Sequence, residues 1–261
     1  MGNLSLDIGL RSLLTAQAGL ETIGHNVANA GTPGYSRQEL MISAAPGFRL
    51  RGLIMGRGVQ ADVVRRTVDA LLHGRLARQD SVLGRLDARH NGLGLAELAV
   101  GSTGDGGVPA RLADLFAGLS TLSTSPSDPL LRAGVAQSAA DLAAQLNQSA
   151  GAIADLRRDT LVELRATVDQ VNAQAREIGE ANQRIPQLEG GGNVANDLRD
   201  RRDQAVRELS TLIEARVVEE PGGALRVLVG GHMLVSPSET SRLEVQSDPT
   251  TGATSLRMGA Q

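Results

Sequence analysis

The sequence predicts a mainly α protein: an elongated helical bundle or coiled coil with an N-terminal helix and a C-terminal β-rich segment. Three observations lead there. Apolar residues recur mostly at steps of three or four from Leu130 to Ile185, the period of one helix face over about fifteen turns. The apolar share is 41%, yet Phe48, Phe116 and Tyr35 are the only aromatics and Trp is absent. Cores must therefore be assembled from Leu, Val, Ile and Ala, which pack well along long helices. After Ala215 the period drops to two, the alternation of strands.

The first helix is read from Leu4 to about Asn29. Leu6, Leu10, Leu13, Leu20 and Val27, with Gln17 and Gly24 between them, alternate in steps of four and three and form a heptad seam. One stripe on a single helix cannot bury itself, and Leu14 and Ile23 widen it. Either the helix docks on its own domain's core, or partner helices complete it. Its end is expected at Asn29-Ala30-Gly31, with Gly31 as a left-handed cap and Pro33 preventing continuation; Thr32-Pro33-Gly34 is then a turn. Residues 31 to 64, rich in Gly and carrying Met41, Ile42, Leu53, Ile54 and Val59, read as an extended linker with short strands.

A second helix is expected from about Asp62 to Arg89, closed by Asn91-Gly92. Gly101 to Gly107 invites comparison with a phosphate cradle, but without Lys or a preceding apolar strand it reads as a flexible turn. Helix resumes at Pro109, a favourable first-turn residue, and stops between Ser123 and Pro129. The long helix follows. Around Leu156, Thr160, Leu164 and Val168 its spacing becomes three fours in a row, a stutter that relaxes supercoiling. At ~1.5 Å per residue it would be about 80 Å long. Pro186 and Gly190 to Gly192 should break it. Asn193 or Asn196 can then cap a helix carrying Leu198, Ala205, Leu209 and Leu212, whose charge run from Asp197 to Asp203 reads as a solvated face. Strands are expected at 217–219, 224–229, 233–235, 243–245 and 254–258, with turns at 221–223, 230–231 and 248–252. The pattern breaks off in mid-sheet. These elements divide into an N-terminal helix and turn (1–45), a linker (46–64), a helical bundle (65–216) and an incomplete β-rich segment (217–261).

Composition also bears on chemistry. A net charge of −3 supplies no electrostatic footprint for nucleic acid or an anionic membrane. All 26 basic residues are Arg, so no Schiff-base or P-loop lysine is available. Cysteine is absent, which removes thiol nucleophiles, disulfides and thiolate metal sites. The four histidines, His25, His73, His90 and His232, are scattered, and no His-Glu-x-x-His or Gly-x-Ser-x-Gly pattern occurs. Asp200 and Asp203 stand one helical turn apart, but Arg neighbours favour salt bridging over acid/base catalysis. No cofactor is implied. The N-terminus lacks a basic region and an unbroken apolar core, so it is not a Sec signal. No apolar run approaches the ~20 residues of a membrane span.

Two segments carry a family resemblance. Asn26 to Gln38, NVANAGTPGYSRQ, resembles the N-terminal signature of bacterial flagellar axial proteins. Its ending Gly34-Tyr35-Ser36-Arg37-Gln38 is most similar to the hook-associated protein 1 family. The run Asn196, Asp197, Leu198, Asp200, Arg202, Asp203, Glu208 and Leu209 is similar to that family's Asn-Asp-Leu helix. The resemblance implies a non-enzymatic, exported subunit at the junction of hook and filament. It would self-associate in a helical layer, meet the hook protein and the second junction protein or the filament, and leave the cell through the flagellar type III apparatus with a chaperone. Residues 1–45 would belong to an inner tube domain, ordered only when subunits meet.

The assembly surface would then comprise Leu6, Leu10, Leu13, Leu20, Val27, Asn26, Asn29, Pro33, Gly34, Tyr35 and Arg37. Thr22, Asn26 and Asn29 either bond a neighbour's backbone or cap and solvate their own helix. Tyr35 either anchors the linker on the next subunit or is buried in its own domain. The family's C-terminal helices, which pair with the N-terminal ones, have no counterpart here, so the natural chain is expected to continue past Gln261. Three other readings remain. A rod or hook subunit would lack the long helix, a secreted enzyme on a helical stalk would show turnover, and a coiled-coil adaptor would have no reason to carry the Gly34-Tyr35 turn.

Overall fold

The computed structural model describes residues 2–50, 53–101, 107–248 and 250–259. It is mainly α with a C-terminal β segment, and it divides into two compact units, Met1–Val82 with Gln170–Gln261, and Leu83–Asp169.

The first unit begins with α1 (Gly2–Ala28), followed by β1 (Gln38–Ala44), β2 (Phe48–Leu50), β3 (Leu53–Met55) and β4 (Val59–Arg66). β1 pairs antiparallel with β4 from Gln38↔Arg66 to Ala44↔Val59, with a bulge at Met41/Ile42, and β2 pairs with β3. The stretch expected as a linker at 46–64 is thus a folded β arm, and the boundary after residue 45 would cut its ladder. The short strands expected within that linker are present, and the chain satisfies their backbone groups by pairing with itself.

β4 also claims Asp62 and Val64, which were expected to open the second helix. That helix, α2 (Ala70–Val100), starts later, where Asp69 Oδ1 accepts the Leu72 N–H at 3.0 Å. It continues through Asn91-Gly92, where closure was expected. A glycine inside a helix costs only about 1 kcal/mol, less than its neighbouring turns supply.

α3 (Val108–Thr124) carries Pro109 in its first turn, as read. Asp128 Oδ1 caps the Leu130 N–H at 2.8 Å and launches α4 (Pro129–Glu189). Pro186 does not stop α4, which runs one further turn to Glu189. In the second unit the helices approach closely at Gly118, where an added Cβ would lie 3.4 Å from Val135 Cγ2. The Ser149 hydroxyl also donates to the Val100 carbonyl at 3.3 Å. Of the expected 101–107 turn, residues 102–106 lie outside the described residues, as does Pro249 of the 248–252 turn.

Full burial of apolar side chains on α4 begins only at Val168. Val171, Ala175, Ile178 and Ile185 are at most 2% exposed, whereas Leu130, Leu146, Ile153 and Val162 are 48–81% exposed. The three-and-four period runs most of the length, but apolar burial follows only where strands and α5 (Asn196–Leu212) cover the helix. β5 (Ala215–Glu219), β6 (Leu225–Val229) and β7 (His232–Val235) form one antiparallel sheet, and β8 (Arg242–Ser247) pairs with β9 (Thr254–Gly259).

Buried asparagines tie these strands to α4. Asn172 donates to the Leu243 carbonyl at 2.9 Å and accepts the Leu243 N–H at 2.8 Å; Asn182 does the same with Leu225 at 2.7 and 2.9 Å. Each amide acts as a one-residue strand partner and satisfies a donor and an acceptor that would otherwise be buried unpaired. Gly179 permits the approach, since a Cβ there would lie 2.3 Å from Thr240 Oγ1.

Candidate functional site

Helix α1 is packed the opposite way round from an ordinary surface helix. Its mostly small and polar side, with Thr15, Gly19 and Asn26 and the single large residue Ile8, lies along the β1–β4 ladder. Thr15 is buried, a Cβ on Gly19 would sit 3.9 Å from Leu40 Cδ2, and Gly58 would meet Ile8. Asp7 holds Arg57 of the arm at 3.5 Å. The heptad seam faces away from this packing. Leu6, Leu13, Leu20 and Val27 are each 70–72% exposed and Leu10 57%, with Leu14 and Ile23 beside them. Amphipathic helices normally bury the apolar stripe; here that stripe is the free one.

The turn after α1 is locked from both sides. Asn26 Nδ2 donates to the Gln38 carbonyl at 2.8 Å while its Oδ1 accepts the Gln38 N–H at 2.8 Å and the Tyr35 hydroxyl at 2.7 Å. His25 Nδ1 lies 3.0 Å from the Tyr35 oxygen, whose proton is committed to Asn26, so the ring serves as an N–H donor there. The Asn26 amide, read as bonding a neighbour or capping its own helix, makes three bonds inside the chain instead. Asn29 bonds the His25 carbonyl at 3.0 Å and Thr22 the Ala18 carbonyl at 2.8 Å. The left-handed glycine is not Gly31 but Gly34, at φ +84, because the chain makes two further turns (Thr32 N–H to Asn29 O, Tyr35 N–H to Thr32 O) before it reverses.

Gly34 faces α5: a Cβ would lie 3.0 Å from Gln204 Oε1 and 3.4 Å from Arg207 Nη2. Ser36 N–H donates to Asp200 Oδ2 at 3.0 Å, and Gln38 Nε2 reaches Asp197 Oδ1 at 3.3 Å. The two sequence motifs, 164 residues apart at Ser36 and Asp200, thus form one junction. Arg66 at the end of β4 completes it, bonding Asp200 Oδ1 at 2.9 Å and Asp203 Oδ2 at 2.6 Å. Asn196 donates to the Val64 carbonyl at 2.8 Å; the N-cap position falls to Ala195, which provides no side-chain bond. The expected cap is therefore a strap to β4.

The charge run read as a solvated face is largely internal. Asn196, Asp200, Arg202 and Leu209 are buried, while Asp197 and Glu208 remain exposed and Leu198 and Asp203 are half-buried. Arg199 forks onto Glu189 with two contacts of 2.8 Å, and that hydrogen bonding holds the Glu189 carboxyl below its ordinary value. Desolvation, then the nearby Asp200 and Asp197 carboxylates, hold the Tyr35 phenol above its own. Pro33 and Arg37 are exposed on the rim. Sequence reading missed Arg66, His25 and Glu189, since nothing local to them announces partners more than a hundred residues away for Arg66, or across a turn for the others. Among the described residues no cluster of three or more His, Asp or Glu side chains could hold a metal, and no described helix is long and apolar enough to cross a membrane.

A scaffold of long helices, with the charges of α5 largely paired inside the chain and the leucine seam of α1 left exposed, has the make-up of a structural protein built from helical segments. The model of the flagellar hook-associated protein FlgK helical domain matches residues 96–261, and the chain belongs to that family. Flagellar hook-associated protein 1 of Bacillus subtilis is 28% identical over 250 residues, covering 93% of this chain and 48% of that protein. The Escherichia coli protein of the same name is 28% identical over 237 residues, covering 90% and 43%. The solved structure of the flagellar hook junction protein FlgK from Burkholderia pseudomallei aligns with a TM-score of 0.59 and 26% identity, over 74% of this chain and 33% of that one. The chain thus spans about half the length of the curated relatives it matches, 43% to 48%.

Proposed function

We propose that this chain serves as part of a subunit of the junction between flagellar hook and filament, and that α1 is its assembly element. The observation that carries the reading is the exposed leucine seam of α1, on a helix whose other side is already committed to the β1–β4 arm. Contacts of this stripe with different surfaces of neighbouring copies are head-to-tail contacts, and a rotation that does not close makes them a helical layer. The partners in this reading are further copies, the hook protein, and the second junction protein or filament. The route is the flagellar type III apparatus with a chaperone, and the location is extracellular. Within residues 1–45, Leu6, Leu10, Leu13, Leu20 and Val27 supply apolar contact and Pro33 and Arg37 the exposed rim. Asn26, Asn29, Gly34 and Tyr35 act indirectly, by fixing the angle at which α1 leaves α5.

The test is the triple substitution Leu6→Gln, Leu13→Gln, Leu20→Gln. These side chains are mostly in water, so circular dichroism and melting of the isolated chain should change by less than about 0.5 kcal/mol. Expressed in the full-length protein in cells lacking their own copy, the variant should fail to restore swimming, and electron microscopy should find hooks without filaments. Normal filaments on such cells would refute the assembly role of α1.

A further inference from the structure

The β arm ends in a surface to which the assembly role of α1 gives no task. Its base is tied to α1 at three points: a Cβ on Gly19 would lie 3.9 Å from Leu40 Cδ2, one on Gly58 would lie 3.2 Å from Ile8 Cγ2, and Asp7 holds Arg57 at 3.5 Å. Ala45, 6% exposed and bonded through its N–H to the Gly58 carbonyl at 2.9 Å, marks where that packing ends. Beyond it the β2–β3 ladder goes on alone, and among the described residues its only substantial packing is of one strand on the other. The tip therefore stands at the end of α1 where the exposed stripe begins with Leu6.

Register sorts the side chains of the tip. Phe48 faces Met55 across the ladder, and Leu53, two residues from Met55, shares their face; Ile54 stands on the other face beside Arg49. Leu53 is 70% exposed, Ile54 74% and Met55 41%. Two strands cannot cover an apolar face of their own, and apolar residues gathered on an exposed, projecting element mark an interaction surface.

Charge says what covers it. From Leu40 to Ala61 the sequence has no acidic residue, while it has Arg49, Arg51 and Arg57. The arm from Gln38 to Arg66 holds five of the chain's 26 basic residues and two of its 29 acidic ones, a balance of +3, which leaves 21 against 27, or −6, on the rest. Arg57 is spent on Asp7, but Arg49 is exposed and joins no ion pair among the described residues. A basic, apolar tip on an otherwise acidic chain is complementary to the body of another copy. An anionic lipid surface would attract the tip but repel that body.

We infer that the arm tip docks on the acidic body of a second copy of this chain, with Leu53, Ile54 and Met55 supplying apolar contact and Arg49 the charge. The inference rests on the reading of the chain as a self-assembling subunit, and not on α1 being the element that makes the contact.

The test is photo-crosslinking in the full-length protein, expressed in cells lacking their own copy, with Ile54→p-benzoylphenylalanine and, separately, Leu13→p-benzoylphenylalanine; both positions are more than 70% exposed. The expected product from Ile54 is an adduct of twice the protein's mass, made of this protein's peptides alone, with the captured peptide outside residues 38–66. Arg49→Glu in that background should lower its yield about fivefold, and Arg49→Lys should leave it unchanged. An adduct within a single chain, between two arms, to a different protein or to lipid, no adduct at all, or a yield unmoved by Arg49→Glu would overturn the proposal. The Leu13 adduct tells two failures apart. If Leu13 joins copies when Ile54 does not, the tip alone is wrong; if neither joins copies, the self-assembly reading falls with it.

Discussion

Replacing Asp200 by Ala removes the group on which the turn after α1 and the acidic helix converge. Asp200 is 6% exposed and accepts the Ser36 N–H at 3.0 Å and Arg66 at 2.9 Å. Its loss leaves a partly buried backbone donor unpaired, at about 1 kcal/mol. Stripping a buried cation of its only partner costs about 3–5 kcal/mol. Arg66 keeps Asp203 at 2.6 Å, so this part falls to about 1–2 kcal/mol, and the sum to about 2–3 kcal/mol. Asp200→Asn keeps an acceptor for Ser36 and should lose about half as much. Urea unfolding followed by the fluorescence of Tyr35, the only Tyr in a chain without Trp, reports on this junction directly. Circular dichroism reports on the helices as a whole. The double-mutant cycle with Arg66→Met should give a coupling of about 1–2 kcal/mol. If Asp200→Ala and the parent chain lose the Tyr35 signal within about 0.5 kcal/mol of each other, α5 does not hold the turn.

Asn182→Ala should cost about 3 kcal/mol, since it leaves both the N–H and the carbonyl of buried Leu225 unpaired; Asn26→Ala, whose partner Gln38 is within reach of water, should cost about 1 kcal/mol. Chemical denaturation measures both, and equal losses would sink the argument from burial. Gly179→Ala should destabilise by about 2 kcal/mol because its methyl would meet Thr240 Oγ1 at 2.3 Å, and pairing it with Thr240→Ala should restore most of the loss. The Tyr35 phenol is held above its ordinary 10.0, so the folded state keeps the proton more tightly than the unfolded one. Its stabilising contribution is complete below pH 10.0 and declines as pH rises through the folded value. Tyrosinate absorbance should therefore show a midpoint above 10.0 that falls in Asp200→Asn, and a midpoint at or below 10.0 in the parent chain would contradict the geometry.

What was legible in the sequence was period and punctuation. The helices ending at Ala28 and Thr124, the Asp128-Pro129 start of α4 and the five C-terminal strands follow from spacing, Gly and Pro alone. Misreadings arose where tertiary contact overrode a local signal. Pro186 lies so near the end of α4 that the helix loses one bond rather than its course. Asn196 looked like a cap because Asn often is one, and nothing within ten residues tells that its amide reaches β4. The Asp197 to Asp203 segment looked solvated because a charge run usually is. Only the antiparallel ladder, by bringing Arg66 back beside α5, supplies the cation that makes its burial tolerable. The two motifs were each recognisable, but their convergence was not, since a bond between Ser36 and Asp200 leaves no periodic trace.

On the assembly reading, the inverted packing of α1 bears on why the helix would assemble only in a lattice. Seven large apolar side chains, Leu6, Leu10, Leu13, Leu14, Leu20, Ile23 and Val27, are 57–72% exposed. Fully burying one is worth about 1.5–3 kcal/mol, so covering what remains exposed would release about 7–14 kcal/mol in all. Bringing two subunits together costs about 4–15 kcal/mol in lost freedom. One neighbour covering half the stripe therefore falls at or short of break-even, and two or three neighbours in a layer double the gain, because a subunit already fixed by one contact meets the next at little further entropic cost. On the assembly reading, the small and polar face of α1 is what makes this possible. It commits the helix to the β1–β4 arm, so the leucines cannot turn inward and satisfy themselves, and the Asn26–Tyr35–Asp200 junction fixes the direction in which they are offered.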